Sequence, residues 1–210
     1  MPEVGEQLIR LNEVMARLRV ECPWDRAQTH SSLLTHLVEE TCEVVDAVEG
    51  GTDDDLREEL GDLLLQVYFH ARIAEDEGRF TIDDVARGIA DKLIRRHPHV
   101  FGDDEVPEDL RGVWERRKRQ EKGRTSSLDG IARSMSSLAR TQKVIARARS
   151  HEVPVGFPSE PVTAKDVGER IQALVARAQA SGVDADAAVR EALRGLEERI
   201  RQAEGSAGTA

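Results

Sequence analysis

The chain has 210 residues, 39% of them hydrophobic and 33% charged, enough for one or two small domains with cores of their own. Aromatic residues are only 3% and β-branched runs are scarce, which disfavours a sheet; the net charge of −10 argues against nucleic acid as a partner. No apolar run reaches the roughly 20 residues of a membrane helix, the N-terminal segment lacks a signal-peptide layout, and Cys22 and Cys42 offer neither a disulfide framework nor zinc spacing, so the expected location is the cytoplasm.

In chain order, Leu8, Leu11, Val14 or Met15, and Leu18 recur at helical spacing and predict a helix over 4–20. A loop, CPWDRAQTH, follows. Its Trp24 and Asp25 are expected to anchor it, and His30 is assigned to a cap or the surface. Thr29 or Ser31 would cap the next helix, 30–49, which Gly50-Gly51 ends. Asp53 to Asp55 start a third, 54–77, ending at Gly78. Thr81 and Asp84 have the spacing of a capping box for a fourth, 82–96, stopped by His97-Pro98. Further helices are expected over 107–122, 126–150, 163–181 and 184–204. The stretch 151–162, with Pro154, Pro158 and Pro161, has the composition of a linker. The last residues, GSAGTA, are expected to be disordered.

Charge is unevenly spread. From Glu39 to Asp62 there are eleven acids and one base, Arg57; from Arg111 to Arg124 there are seven bases and two acids. An acidic cluster followed by a basic one suits a metal and a phosphate ligand.

The acids divide by helix geometry. On helix 30–49, Leu33, Leu34, Leu37, Val44, Val45 and Val48 share a face; Glu40 lies at its edge, Glu43 one step outward, and Glu39 further out. Asp46 and Glu49 point to solvent. Helix 54–77 is apolar around nearly its whole circumference, the pattern of a buried helix, and Glu59 and Asp62 sit within it. A buried carboxylate is costly unless it is paired or holds a cation. Antiparallel pairing through a short loop would set 40 and 43 opposite 59 and 62, and a set made only of carboxylates favours a hard cation, Mg²⁺ or Mn²⁺. Gly61 is expected to permit close helix approach. Lys92 and Arg96, i and i+4 on one helix, could clamp phosphate.

Four blocks in order, CPWDRAQTH, EETCE at 39–43, EELGD at 58–62 and KLIRRHPHVFG at 92–102, resemble the MazG family of nucleoside triphosphate pyrophosphohydrolases over about residues 5–125. The resemblance implies an all-α helical bundle of the all-α NTP pyrophosphatase type, assembled as a homodimer or larger. It implies Mg²⁺-dependent hydrolysis of a nucleoside triphosphate to the monophosphate and pyrophosphate, in a house-cleaning role. By motif, Glu40, Glu43, Glu59 and Asp62 would be the metal ligands, and Glu39 would assist catalysis, either at a second ion or by orienting the attacking water. Lys92 and Arg96 would hold the triphosphate, and Trp114 would stack on the base. Rival expectations are a narrow, dUTPase-like specificity and a non-enzymatic metal-binding helical module.

The chain also carries a faint internal repeat. ELGDLLLQVYFHAR at 59–72 resembles DVGERIQALVARA at 166–178, with Asp166 and Glu169 in the places of the first acidic pair and no second EExxE block. The expected organisation is a catalytic domain over 1–125, a helix and Pro-containing linker over 126–162, an inactive two-helix remnant over 163–204, and a tail over 205–210.

Overall fold

The structure, a computed structural model, describes residues 5–107, 109, 110, 112–114, 121, 123 and 125–207. The chain divides into two compact units, residues 1–104 and 105–210. Among the described residues every regular element is a helix.

The first unit contains α1 (Glu6–Glu21), the short α2 (Pro23–Ala27), α3 (Leu34–Gly50), α4 (Asp53–Asp76), α5 (Ile82–Arg96) and the short α6 (Pro98–Phe101). α4 and α5 begin where their caps dictate. Thr52 Oγ1 accepts from Asp55 N at 3.2 Å while Asp55 Oδ2 accepts from Thr52 N at 2.7 Å, and Thr81 and Asp84 repeat the arrangement at 3.2 and 3.0 Å. Each box satisfies two backbone donors. α3 starts later than expected. Thr29 and Ser32 bond to each other's amides at 2.9 and 3.1 Å, so they close a turn instead of capping, and α3 follows Leu33 without a side-chain cap. Side-chain bonding of this kind competes with helix initiation.

α3 and α4 form the central hairpin, turning through Gly51 and Thr52. A Cβ on Gly51 would lie 2.9 Å from the Cα and the O of Ala47, so only glycine lets the chain leave α3 this closely. α4 packs its inner side into the core of Met15, Leu33, Tyr68, Phe69 and Ile73, with Leu11, Leu18, Leu65 and Ile82 around it. Tyr68 donates to the carbonyl of Leu8 at 3.3 Å. Arg19 ties the 22–28 segment down: its Nη1 donates to the carbonyls of Asp25 and Gln28 at 2.6 and 3.1 Å, and its Nε to Asp76 of α4 at 3.0 Å.

Two expectations about α4 need correction. The helix is not covered on all sides: Leu60, Leu64 and Val67 on one stripe of α4, and Leu34, Val38, Val45 and Val48 on α3, are exposed. Gly61 brings no helix close, since a Cβ built there has nothing within 4 Å. Gly61→Ala is therefore expected to stabilise the chain by about 1 kcal/mol through helix propensity alone, as a rise in denaturation midpoint. A loss of stability instead would mean that something outside the single chain covers this position.

The second unit is built on α7 (Ser137–Ser150), α8 (Ala164–Ala180) and α9 (Ala185–Ala207). Of the predicted helix over 107–122, Leu110, Gly112, Val113, Trp114 and Glu121 are helical, and 108, 111, 115–120 and 122 lie outside the described residues. The predicted helix over 126–150 forms only from Ser137. Ahead of it, Asp129 Oδ2 accepts from the amides of Thr125 and Ser126 at 3.0 Å each, and Glu204 accepts from Ser126 Oγ and Ser127 N at 2.6 Å each. The core here comprises Val144, Ala148, Leu193, Leu196 and Ile200. Val153, Val155 and Phe157 pack against it, so the proline-containing stretch is part of the unit rather than a free connector.

α8 buries no residue. Its first turn is capped by Thr163, whose Oγ1 accepts from Asp166 N at 3.1 Å, while Glu169 pairs with Lys165 at 3.7 Å. Gly182 closes α8 with φ +68, the same value as Gly78 after α4. In both turns the amide after the glycine bonds back to the helix at 2.9 Å, Arg79 to Ala74 and Val183 to Ala178, the Schellman pattern. α9 runs on to Ala207, and 208–210 lie outside the described residues.

Candidate metal centre

The hairpin sets the acids of α3 against those of α4. Glu40, Glu43 and Glu59 each offer a carboxylate oxygen, and these atoms all lie within 4.8 Å of one another. On α3 the pair is i and i+3, so one helix face presents both. Asp62, a turn beyond Glu59, is close enough that its charge acts on both Glu40 and Glu59.

The electrostatics fit a cation. Burial, a hydrogen bond shared with Glu43 and the charges of Asp62, Glu43 and Glu59 all raise the Glu40 carboxyl above its ordinary range. Burial and then the charges of Glu43, Asp62, Glu58 and Asp55 do the same to Glu59. Like charges held together resist ionising, and a divalent ion removes that cost. The donors are all hard oxygens, which suits a hard cation. Glu40, Glu59 and Asp62 are only partly buried and Glu43 is exposed. The apolar surround expected from the sequence is thus half open in the single chain.

The remaining candidates lie outside this group. Glu39 is turned outward, its side chain 59% exposed, and its carboxylate is 3.4 Å from Nδ1 of His36. Trp24, itself exposed, meets the His36 ring edge-on with centroids 6.1 Å apart and Phe69 of the core at 6.3 Å, so the CPWDRAQTH segment reaches the α3 face that carries Glu39. Lys92 is half-buried on α5, and Arg96, a turn further on, is 6% exposed. Trp114, partly exposed, belongs to the second unit.

One polar cluster beneath these elements was missed in the sequence. His30 is neither a cap nor a free surface group. Its Nε2 is 2.5 Å from Nη2 of Arg79 and its Nδ1 is 2.7 Å from Nδ1 of His70. Arginine can only donate, so His30 carries its proton on Nδ1 and donates to His70. His70 must then hold its proton on Nε2, a buried atom without a partner among the described residues. The available signal was a histidine inside an apolar helix. Burial first and His30 second lower the proton affinity of His70. The folded state therefore binds this proton less well than the unfolded state, and stability is lost as pH falls through the unfolded histidine value, about 6.5. Melting temperatures of the metal-free chain between about pH 7.5 and 5.5 should fall, and His70→Gln should flatten that dependence.

An all-helical unit whose central hairpin gathers carboxylates from two paired helices defines a class: α-helical proteins with an acidic cluster on a helix pair that could hold a metal ion. Residues 28–101 match the MazG nucleotide pyrophosphohydrolase domain. A nucleoside triphosphate pyrophosphohydrolase/pyrophosphatase MazG from Thermotoga maritima is 37% identical over 228 residues, covering 97% of this chain and 88% of the relative. A nucleoside triphosphate pyrophosphohydrolase from Mycobacterium tuberculosis is 42% identical over 203 residues, and the chain spans 59% of its length. A crystal structure of a MazG-related protein from Thermotoga maritima, 28% identical, aligns with a TM-score of 0.47 over 53% of this chain and 98% of that one. The chain belongs to the MazG family. No helix among the described residues is long and apolar enough to cross a membrane.

Proposed function

We propose that this chain is a nucleoside triphosphate pyrophosphohydrolase that converts an NTP or dNTP and water to the monophosphate and pyrophosphate, with house-cleaning of aberrant or excess nucleotides as its role. The observation that carries this is the convergence of Glu40, Glu43 and Glu59 within 4.8 Å, supported by family membership and by relatives named for that activity.

Glu40, Glu43, Glu59 and Asp62 would hold Mg²⁺, with Mn²⁺ as a substitute. A divalent cation bound there supplies charge neutralisation of phosphate oxygens and acidification of water. Phosphoryl transfer otherwise asks mainly for positioning and electrostatic stabilisation. Glu39, open to solvent and beside His36, orients the attacking water and accepts its proton. Lys92 and Arg96, a turn apart on α5, carry opposing charge to the triphosphate, and Trp114 stacks on the base. The exposed apolar stripes of α3 and α4, of the kind that mark interaction surfaces, support a homodimer or larger assembly. The expected setting is the cytoplasm, with neither nucleic acid nor membrane as partner.

A panel of NTPs and dNTPs with Mg²⁺, scored by pyrophosphate release, tests this. Hydrolysis across several bases is the expected result. Activity on one nucleotide only would select a dUTPase-like enzyme, and none on any would overturn the enzymatic assignment.

A further inference from the structure

The second unit holds a cavity of about 200 Å³ that opens between the turn before α7, α7 itself and α9. Arg133 comes from the turn, Arg140 from α7, and Arg190 and Arg194 from successive turns of α9. Four guanidiniums around one cavity stand out in a chain of 40 acids and 30 basic residues.

The one carboxylate in the lining is already engaged. Glu197 Oε1 accepts from Nε and Nη2 of Arg140 at 3.1 and 2.6 Å, and its other oxygen lies 3.5 Å from Arg201. Arg190 and Arg194 pair with Asp186 and Glu191 of their own helix, exposed contacts of the kind that contribute little. Arg133 makes no side-chain hydrogen bond or ion pair among the described residues. The cavity therefore keeps positive charge that its own acids do not cancel. Its remaining lining is Leu193, buried, Met135, half-buried, and the buried Ser137.

We infer that this cavity binds a phosphate monoester of a small, ring-sized body. Guanidinium forks match phosphate oxygens in pairs, and the apolar floor of Met135 and Leu193 takes the carbon skeleton. The volume sets the size: a cavity of about 150 Å³ holds benzene. The site lies wholly within residues 133–197 and is independent of the proposed hydrolysis. A sugar phosphate and the ribose phosphate of a nucleotide share this chemistry.

Calorimetric titration of the full-length chain in chelator, so that no divalent cation is present, tests it. Ribose 5-phosphate, a nucleoside 5′-monophosphate and inorganic phosphate are the probes. At least one ester is expected to bind saturably, more tightly than inorganic phosphate. The pair Arg133→Gln and Arg194→Gln should weaken it about tenfold or more, the same positions as Lys should retain most of it, and Glu59→Gln should leave it unchanged. Preference for the monophosphate would name a nucleotide as the source; preference for the sugar phosphate would name the free sugar. Absence of saturable binding, equal binding of inorganic phosphate, indifference to the Gln pair, or loss in Glu59→Gln would each overturn the inference.

Discussion

Glu59→Gln is expected to lower Mg²⁺-dependent pyrophosphate release at least about 100-fold while leaving the metal-free chain more stable than the parent. The first effect follows from removing one of the three converging carboxylates; changes to groups that merely support metal ligands already cost about 10–100-fold. The second follows from sign. The Glu59 carboxyl is raised above its ordinary value by burial and by the charges of Glu43, Asp62, Glu58 and Asp55, so its ionised form works against folding at neutral pH. A neutral isostere removes that penalty. Pyrophosphate release and thermal melting in chelator are the two measurements. Lost activity with lowered metal-free stability would mean that Glu59 is a structural group, and retained activity would remove it from the site.

Arg19→Met should loosen the first unit where the 22–28 segment is tied down. The guanidinium side chain is only 11% exposed and binds the carbonyls of Asp25 and Gln28 as well as the Asp76 carboxylate. Methionine keeps much of the apolar stem but strands the two carbonyls, while Asp76 keeps its bond from Arg72 Nε at 2.9 Å. Leaving a part-buried carbonyl without its donor costs about 1–3 kcal/mol, a sizeable share of an ordinary domain's stability. Amide exchange should accelerate first over 22–33, and Trp24 fluorescence should report the loss of its contacts with His36 and Phe69. Unchanged exchange in that segment would show that Arg19 does not hold it.

The parts legible in the sequence are those governed by local rules. Thr52, Thr81, Gly78 and the Gly50-Gly51 pair set their helix ends through caps and turns only a few residues long, and the predicted and observed limits of α4 and α5 agree within a residue. The hairpin then follows, and with it the juxtaposition of Glu40 and Glu43 with Glu59. What escaped is decided at long range. Ser126 and Ser127 are drawn out of the helical pattern by Glu204, 78 and 77 positions away. The prolines around Val153, Val155 and Phe157 suggested a free linker, yet those three side chains pack on the second core. His30 meets His70 across 40 positions. The apolar circumference of α4 was visible, but periodicity cannot tell cover supplied by the same chain from cover supplied by another molecule.

The hairpin turn has a kinetic consequence. All the proposed metal ligands fall between Glu40 and Asp62, so the loop that must close to assemble them is short and its entropy cost small. Contacts this local form early in folding. Mutual repulsion of the acids is then met on the way up the barrier, and it slows folding more than it speeds unfolding. A cation that binds the closed hairpin would act on the same limb, quickening the refolding of the unit whose site it later occupies.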